Sequence, residues 1–160
     1  MSDPTTVCTP STTGSTPHDD QDCRRTLDVL IVQTDGSAQP ARWTTSADGS
    51  VLPQLQAAVG GLVDVVALTD DVDLWVHDEG LYRCGLNPVA TAVAAGMGFV
   101  QQPYCGPVVF TGGADEDGNT LGLSDELAEV LLELVERLKD NLVRLAAITI
   151  RGQAFLAAYR

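Results

Sequence analysis

Between Leu55 and Glu126 short apolar runs are cut, every few residues, by Gly60-Gly61, Asp70-Asp71, Asp78-Glu79-Gly80, Gly96 with Gly98, Gly112-Gly113 and Gly118. Breaks at that spacing leave room for strands and short helices only. From Ser124 the pattern changes, and Leu127, Leu131, Leu134, Leu138, Leu145 and Ile148 recur at intervals of three, four or seven. That is a helical period. Strand-sized runs followed by one long helical stretch specify an α+β fold. The expectation is a small, mostly antiparallel sheet with two short helices and one long C-terminal amphipathic helix.

The individual elements follow from turn chemistry. Leu27 to Thr34 is followed at once by Asp35-Gly36, a hairpin signal because glycine tolerates positive φ, with Ala41 to Thr45 as the returning strand. Ser50 is placed to cap a short helix carrying Leu52, Leu55 and Val59 on one face, with Pro53 tolerated in its first turn and Gly60-Gly61 ending it. Val63 to Leu68 and Val72 to His77 read as a strand pair joined at Asp70-Asp71, with Trp75 on the core. Leu81 and Tyr82 extend the sheet in this reading. Asn87-Pro88 opens a small-residue helix through Ala94. Val108 to Thr111 is apolar enough to be central, although Pro107 argues for an edge. One amphipathic helix is expected from Ser124 to about Ala147, covering a sheet face or also pairing with a second copy, with Asn141 interrupting its seam. Thr149 to Arg160 either continues that helix or binds back as a separate turn.

Three regions result: a Ser/Thr/Pro-rich acidic tail at 1–24, expected to be disordered because it has almost no large apolar side chain, an α+β domain at 25–123, and a helical segment at 124–160 packed on it. No run of residues approaches the ~18 apolar positions of a membrane span. No charged n-region leads into an apolar h-region, so the chain is read as cytoplasmic.

The formal net charge is −13 and Lys139 is the only lysine. Such a field repels phosphate backbones and lacks the cationic stripe that releases counterions, which speaks against direct nucleic-acid binding. A basic protein is the expected partner. Acidic surfaces also serve solubility, and Asp-rich, Lys-poor surfaces accompany a high-salt cytoplasm, so charge alone does not establish a function.

Reactive constellations are scarce. Cys8, Cys23, Cys84 and Cys105 form no Cys-x-x-Cys pair, and reduced cysteines are the plainer reading than a metal shared by His77, Cys84 and Cys105. Asp115-Glu116-Asp117-Gly118-Asn119 imitates a calcium loop. With Gly118 as the turn glycine, however, Gly113 falls at the first ligand and Ser124 at the bidentate acid. No Gly-x-Ser-x-Gly elbow is present, and neither Gly60-Gly61 nor Gly112-Gly113 matches a phosphate loop. No catalytic, cofactor or metal residue is therefore assigned. The candidate interaction surface is Asp70, Asp71, Asp73, Asp78, Glu79, Asp115, Glu116 and Asp117.

The order Leu55-Gln56 with Val59-Gly60-Gly61, Val63 to Leu68, His77-Asp78-Glu79-Gly80-Leu81, Leu86-Asn87-Pro88-Val89-Ala90-Thr91, Gly106-Pro107-Val108-Val109-Phe110 and the acidic Gly118 loop resembles an uncharacterised domain-of-unknown-function family, number 3846, over about Leu27 to Leu138. The family occurs in bacteriophages, plasmids and their hosts, actinobacteria included. Here Val76-His77-Asp78-Glu79-Gly80 stands where the family usually has Asn-Glu-Glu-Gly or similar. The resemblance implies a small accessory protein of mobile-element origin and supplies no catalytic residues. The expected function is a non-catalytic interaction module, including a host-takeover factor or a nucleic-acid mimic, with possible homodimerisation through the C-terminal helix. The alternative is a small-molecule binder or minor enzyme with a pocket near Trp75, His77, Tyr82 and Tyr104.

Overall fold

The computed structural model describes residues 24–160. The disordered tail expected at 1–24, with Cys8, His18 and Cys23, lies outside the described residues apart from Arg24. Five strands, β1 (Thr26–Val32), β2 (Ala38–Thr44), β3 (Val63–Thr69), β4 (Val72–His77) and β5 (Val108–Thr111), form one sheet of order β2-β1-β5-β4-β3. Each pairing is antiparallel. The helices are α1 (Leu52–Val59), α2 (Gly80–Arg83), α3 (Pro88–Gly96), α4 (Asp125–Asp140) and α5 (Leu142–Tyr159). The fold is α+β, as its sequence pattern requires.

The period of two along each strand sorts the core into two layers. Leu30, Val32, Leu74, Val76, Val108 and Phe110 point to the face covered by α3, α4 and α5. Leu27, Val29, Val109 and Trp75 point to the other, where α1 supplies Val51, Leu55 and Val59. The strand β5 is buried at every residue because it is central and covered on both faces. Pro107 precedes its first residue and so removes no ladder donor, which is why the edge expected there does not exist.

Three segments of the chain are tied by one side chain rather than by the ladder. Asn87 is fully buried, and its Oδ1 accepts from the Ala90 amide at 3.0 Å, capping α3. Its Nδ2 donates to the Val32 carbonyl at 3.2 Å and the Gly106 carbonyl at 3.0 Å. One amide therefore fixes the start of α3, the end of β1 and the approach to β5.

The structure departs from expectation in three further places. Leu81 and Tyr82 lie in the single turn α2 and do not extend the sheet. That gives three short helices instead of two. Ser50 stands one position outside the cap of α1, which falls at Val51, although its Oγ accepts from the Leu52 amide at 3.1 Å. The long C-terminal helix is two helices, broken at Asn141 (φ −89°, ψ 78°), whose side chain accepts from the Arg144 amide at 3.0 Å and caps α5. The sequence period continues across the break because both helices face the same core: Leu131, Val135 and Leu138 from α4, Leu145 and Ile148 from α5.

Candidate functional site

Of the eight acidic residues proposed as a surface, five gather at one end of the sheet. The β3–β4 turn presents Asp70 and Asp71, both exposed. Gly113, just beyond β5, lies against that turn so closely that a Cβ there would stand 2.3 Å from the Asp70 carbonyl oxygen. Glu116 and Asp117 are exposed on the loop that follows. Asp48, which the sequence reading did not single out, belongs to the same end, since it lines a cleft of about 200 Å³ with Gly118, Asn119 and Trp75. No local motif marks Asp48; only the folded proximity of the 46–50 and 115–119 loops does.

The remaining three divide. Asp78 and Glu79 follow β4 at its far end, about 23 Å from Asp71 along an extended strand. They do not belong to the same patch. Asp73 is half-buried on the α1 side, in register with Thr111, and burial pushes its carboxyl above the usual range.

The acids differ also in how far their charge is already engaged. Asp115 Oδ1 accepts from the Asp117 amide at 3.0 Å and the Asn119 amide at 2.8 Å, and both its oxygens accept from Asn119 Nδ2. With Arg25 Nη1 3.5 Å away, these donors, the Asn119 side chain foremost, hold the Asp115 carboxyl below its ordinary range. The loop imitating a calcium site is thus closed by its own hydrogen bonds. Glu79 pairs with Arg83 at 2.6 Å on an exposed turn.

The alternative pocket is not assembled from its four residues. Trp75 donates Nε1–H to Thr111 Oγ1 at 2.9 Å and lines the cleft beside α1. His77 packs on Gly61, where a Cβ would stand 2.4 Å from Nε2, and its Nδ1 accepts from the Glu79 amide at 3.0 Å. Tyr82 is exposed and tilted against Tyr159 with ring centroids 5.5 Å apart. Tyr104 is buried in the main core.

Cys84 and Cys105 are both free and join a small cluster with Leu86, Leu156 and Phe155. Burial pushes the Cys105 thiol up to about 11, so it remains protonated at neutral pH. Among the described residues no group of three or more His, Cys, Asp or Glu is drawn together as a metal site, and His77, Cys84 and Cys105 do not form one. No helix of the described residues is long and apolar enough to cross a membrane.

A second surface lies on the C-terminal helical segment, which the sequence pattern offers for pairing with a second copy. The helix α5 buries only Gly152 and Leu156, while Leu142, Val143 and Ile150 are 76%, 84% and 70% exposed. The signal is present in the sequence: α5 carries apolar residues on its outer side as well as on the side that packs inward.

No curated protein and no solved structure matches the chain. Residues 26–139 match the model of a domain of unknown function, DUF3846. The match opens on the first residue of β1 and stops within the last turn of α4, so it takes in the whole sheet and leaves α5 outside. On that match the chain belongs to the DUF3846 family.

Proposed function

We propose that this protein is a non-catalytic accessory factor, of the kind mobile elements carry, that acts by binding a basic protein through the acidic end of its sheet. The observation that supports this is the convergence of three separate loops, carrying Asp48, Asp70 and Asp71, and Glu116 and Asp117, on one end of the fold. Like charges brought together by folding repel one another, and Arg24 and Arg25, which line a neighbouring cleft with Asp48, are fewer than the acids around them. Such a cluster costs stability unless a cationic surface meets it, and it steers such a surface in. A host-takeover factor or a mimic of nucleic acid is the sharper form of the same reading.

The test is capture from lysate of the native host with the tagged chain, at low and high salt, beside a variant carrying Asp70→Lys, Asp71→Lys and Asp117→Lys. A basic protein retained only at low salt by the parent, and lost by the variant, is the expected result. Identical captured sets from both proteins would sink the reading. Where a partner is caught, release by duplex DNA supports the mimic, and indifference to DNA removes it.

A further inference from the structure

All 22 acidic residues lie within 1–79 and 115–140, so 80–114 and 141–160 contain none, while Arg83, Arg144, Arg151 and Arg160 fall there. The acid-free segments meet in space, because α3 and α5 pack on one another in the same helical layer. Next to them lies α4, with Asp125, Glu126, Glu129, Glu133, Glu136 and Asp140 against Arg137 and Lys139. The helical layer is therefore cationic and apolar along α5, and anionic along α4.

The outer faces of the two helices complement each other. At 100° per residue, Leu142, Val143, Ala146, Ile150, Ala154 and Ala157 form one stripe on α5, opposite the residues it packs inward. Arg144 and Arg151 flank that stripe on one side. On α4 the outward stripe carries Val130, 60% exposed, with Glu126, Glu133 and Arg137, the last paired with Glu133. Both helices direct their inner faces to the same core cluster, so both outer stripes face away from it, to solvent.

We infer that a second copy of this chain covers the α4–α5 layer, the two layers stacking about a twofold axis so that α5 of each copy lies on α4 of the other. Three observations select this occupant. The stripe on α5 is uncharged and small-residue-rich, which permits close helix approach. The acids Glu126, Glu129 and Glu133 on α4 complement Arg144 and Arg151 at the margin of the α5 stripe, and both sets are present on every copy. Reciprocal pairing closes on itself, as an isologous interface must. Size sets the strength: α5 is about 27 Å long and α4 about 24 Å, so even both stripes together stay below the roughly 800 Å² per partner of a standard interface. A contact of this size, between copies of strongly acidic chains, belongs at the weak end of specific association.

This inference does not rest on the basic partner proposed above, because it is tested on the purified full chain alone. Sedimentation velocity over roughly a hundredfold range of concentration should show a monomer–dimer equilibrium. Ile150→Glu, at an exposed position and with its fold checked by circular dichroism, should weaken it at least tenfold. Arg144→Glu with Arg151→Glu, and separately Glu126→Lys with Glu129→Lys, should each abolish self-association, and an equimolar mixture of the two should restore dimers. A chain monomeric at every concentration, or a dimer untouched by Ile150→Glu, overturns the inference. Failure of the mixture to reassociate overturns the reciprocal arrangement it asserts.

Discussion

Gly112 and Gly113 read in sequence as a turn, and their structural role is of a different kind. Neither has a positive φ; a Cβ at Gly112 would stand 2.3 Å from the Gly122 carbonyl oxygen, and one at Gly113 equally close to the Asp70 carbonyl oxygen. These glycines let three backbone segments touch at the acidic end. Backbone cannot rotate aside as a side chain can, so Gly113→Ala should destabilise by about 3 kcal/mol, as an overpacked site does. Gly96, the last residue of α3, has open space where its Cβ would be. There Ala should stabilise by roughly 0.5–1 kcal/mol through helix propensity. Urea midpoints for both variants check the pair, and equal effects would refute close approach as the reason for Gly113. The same contrast shows what was legible. Positive-φ glycines such as Gly36 and Gly60 announce themselves by local turn chemistry. A glycine required by a segment 40 residues away does not, and Asp48 was missed for the same reason.

Elements were legible where their cause is local and obscured where it is tertiary. Asp35-Gly36, Asp70-Asp71 and Asn87-Pro88 each mark a boundary that the fold uses. Asn141 was read as a polar interruption of one continuous seam, because the apolar period runs past it. Its role is to stop α4 and cap α5, as Ser124 caps α4 through the Leu127 amide at 3.2 Å. Asparagine does this by offering its side-chain oxygen to an amide that the helix leaves without a partner. Asn141→Ala should therefore cost about 1 kcal/mol, and Asn141→Gly only a few tenths. Thermal unfolding of the two variants measures the difference. Were the segment one continuous helix, Ala would be the better helix former and would raise stability instead.

At the scale of the whole molecule two electrostatic effects oppose each other. Five ion pairs join described residues, from Arg25–Asp115 to Lys139–Glu136, and each has at least one partner side chain more than 40% exposed. Exposed pairs contribute roughly 0–1 kcal/mol each and lose part of that in salt. Against them stands a net charge of −13, with the acidic end gathering carboxylates from three loops. Repulsion of that kind acts over about 10 Å at 0.1 M ionic strength and is screened as salt rises. The net term should win, because few cations are available to pair with many acids. At pH 7, where the carboxylates that Arg42 and Asn119 hold low at Asp28 and Asp115 are fully ionised, raising sodium chloride should increase the melting temperature. A gain of about 1 kcal/mol corresponds to roughly 3 °C for a chain of this size. The lowered carboxylates fix the acid limb. Their stabilisation is complete above the unfolded carboxylate range near 4, and is lost as pH falls below it. A melting temperature that falls with salt at pH 7 would mean that the ion pairs outweigh the repulsion, and would remove the energetic reason for the acidic end to seek a cationic partner.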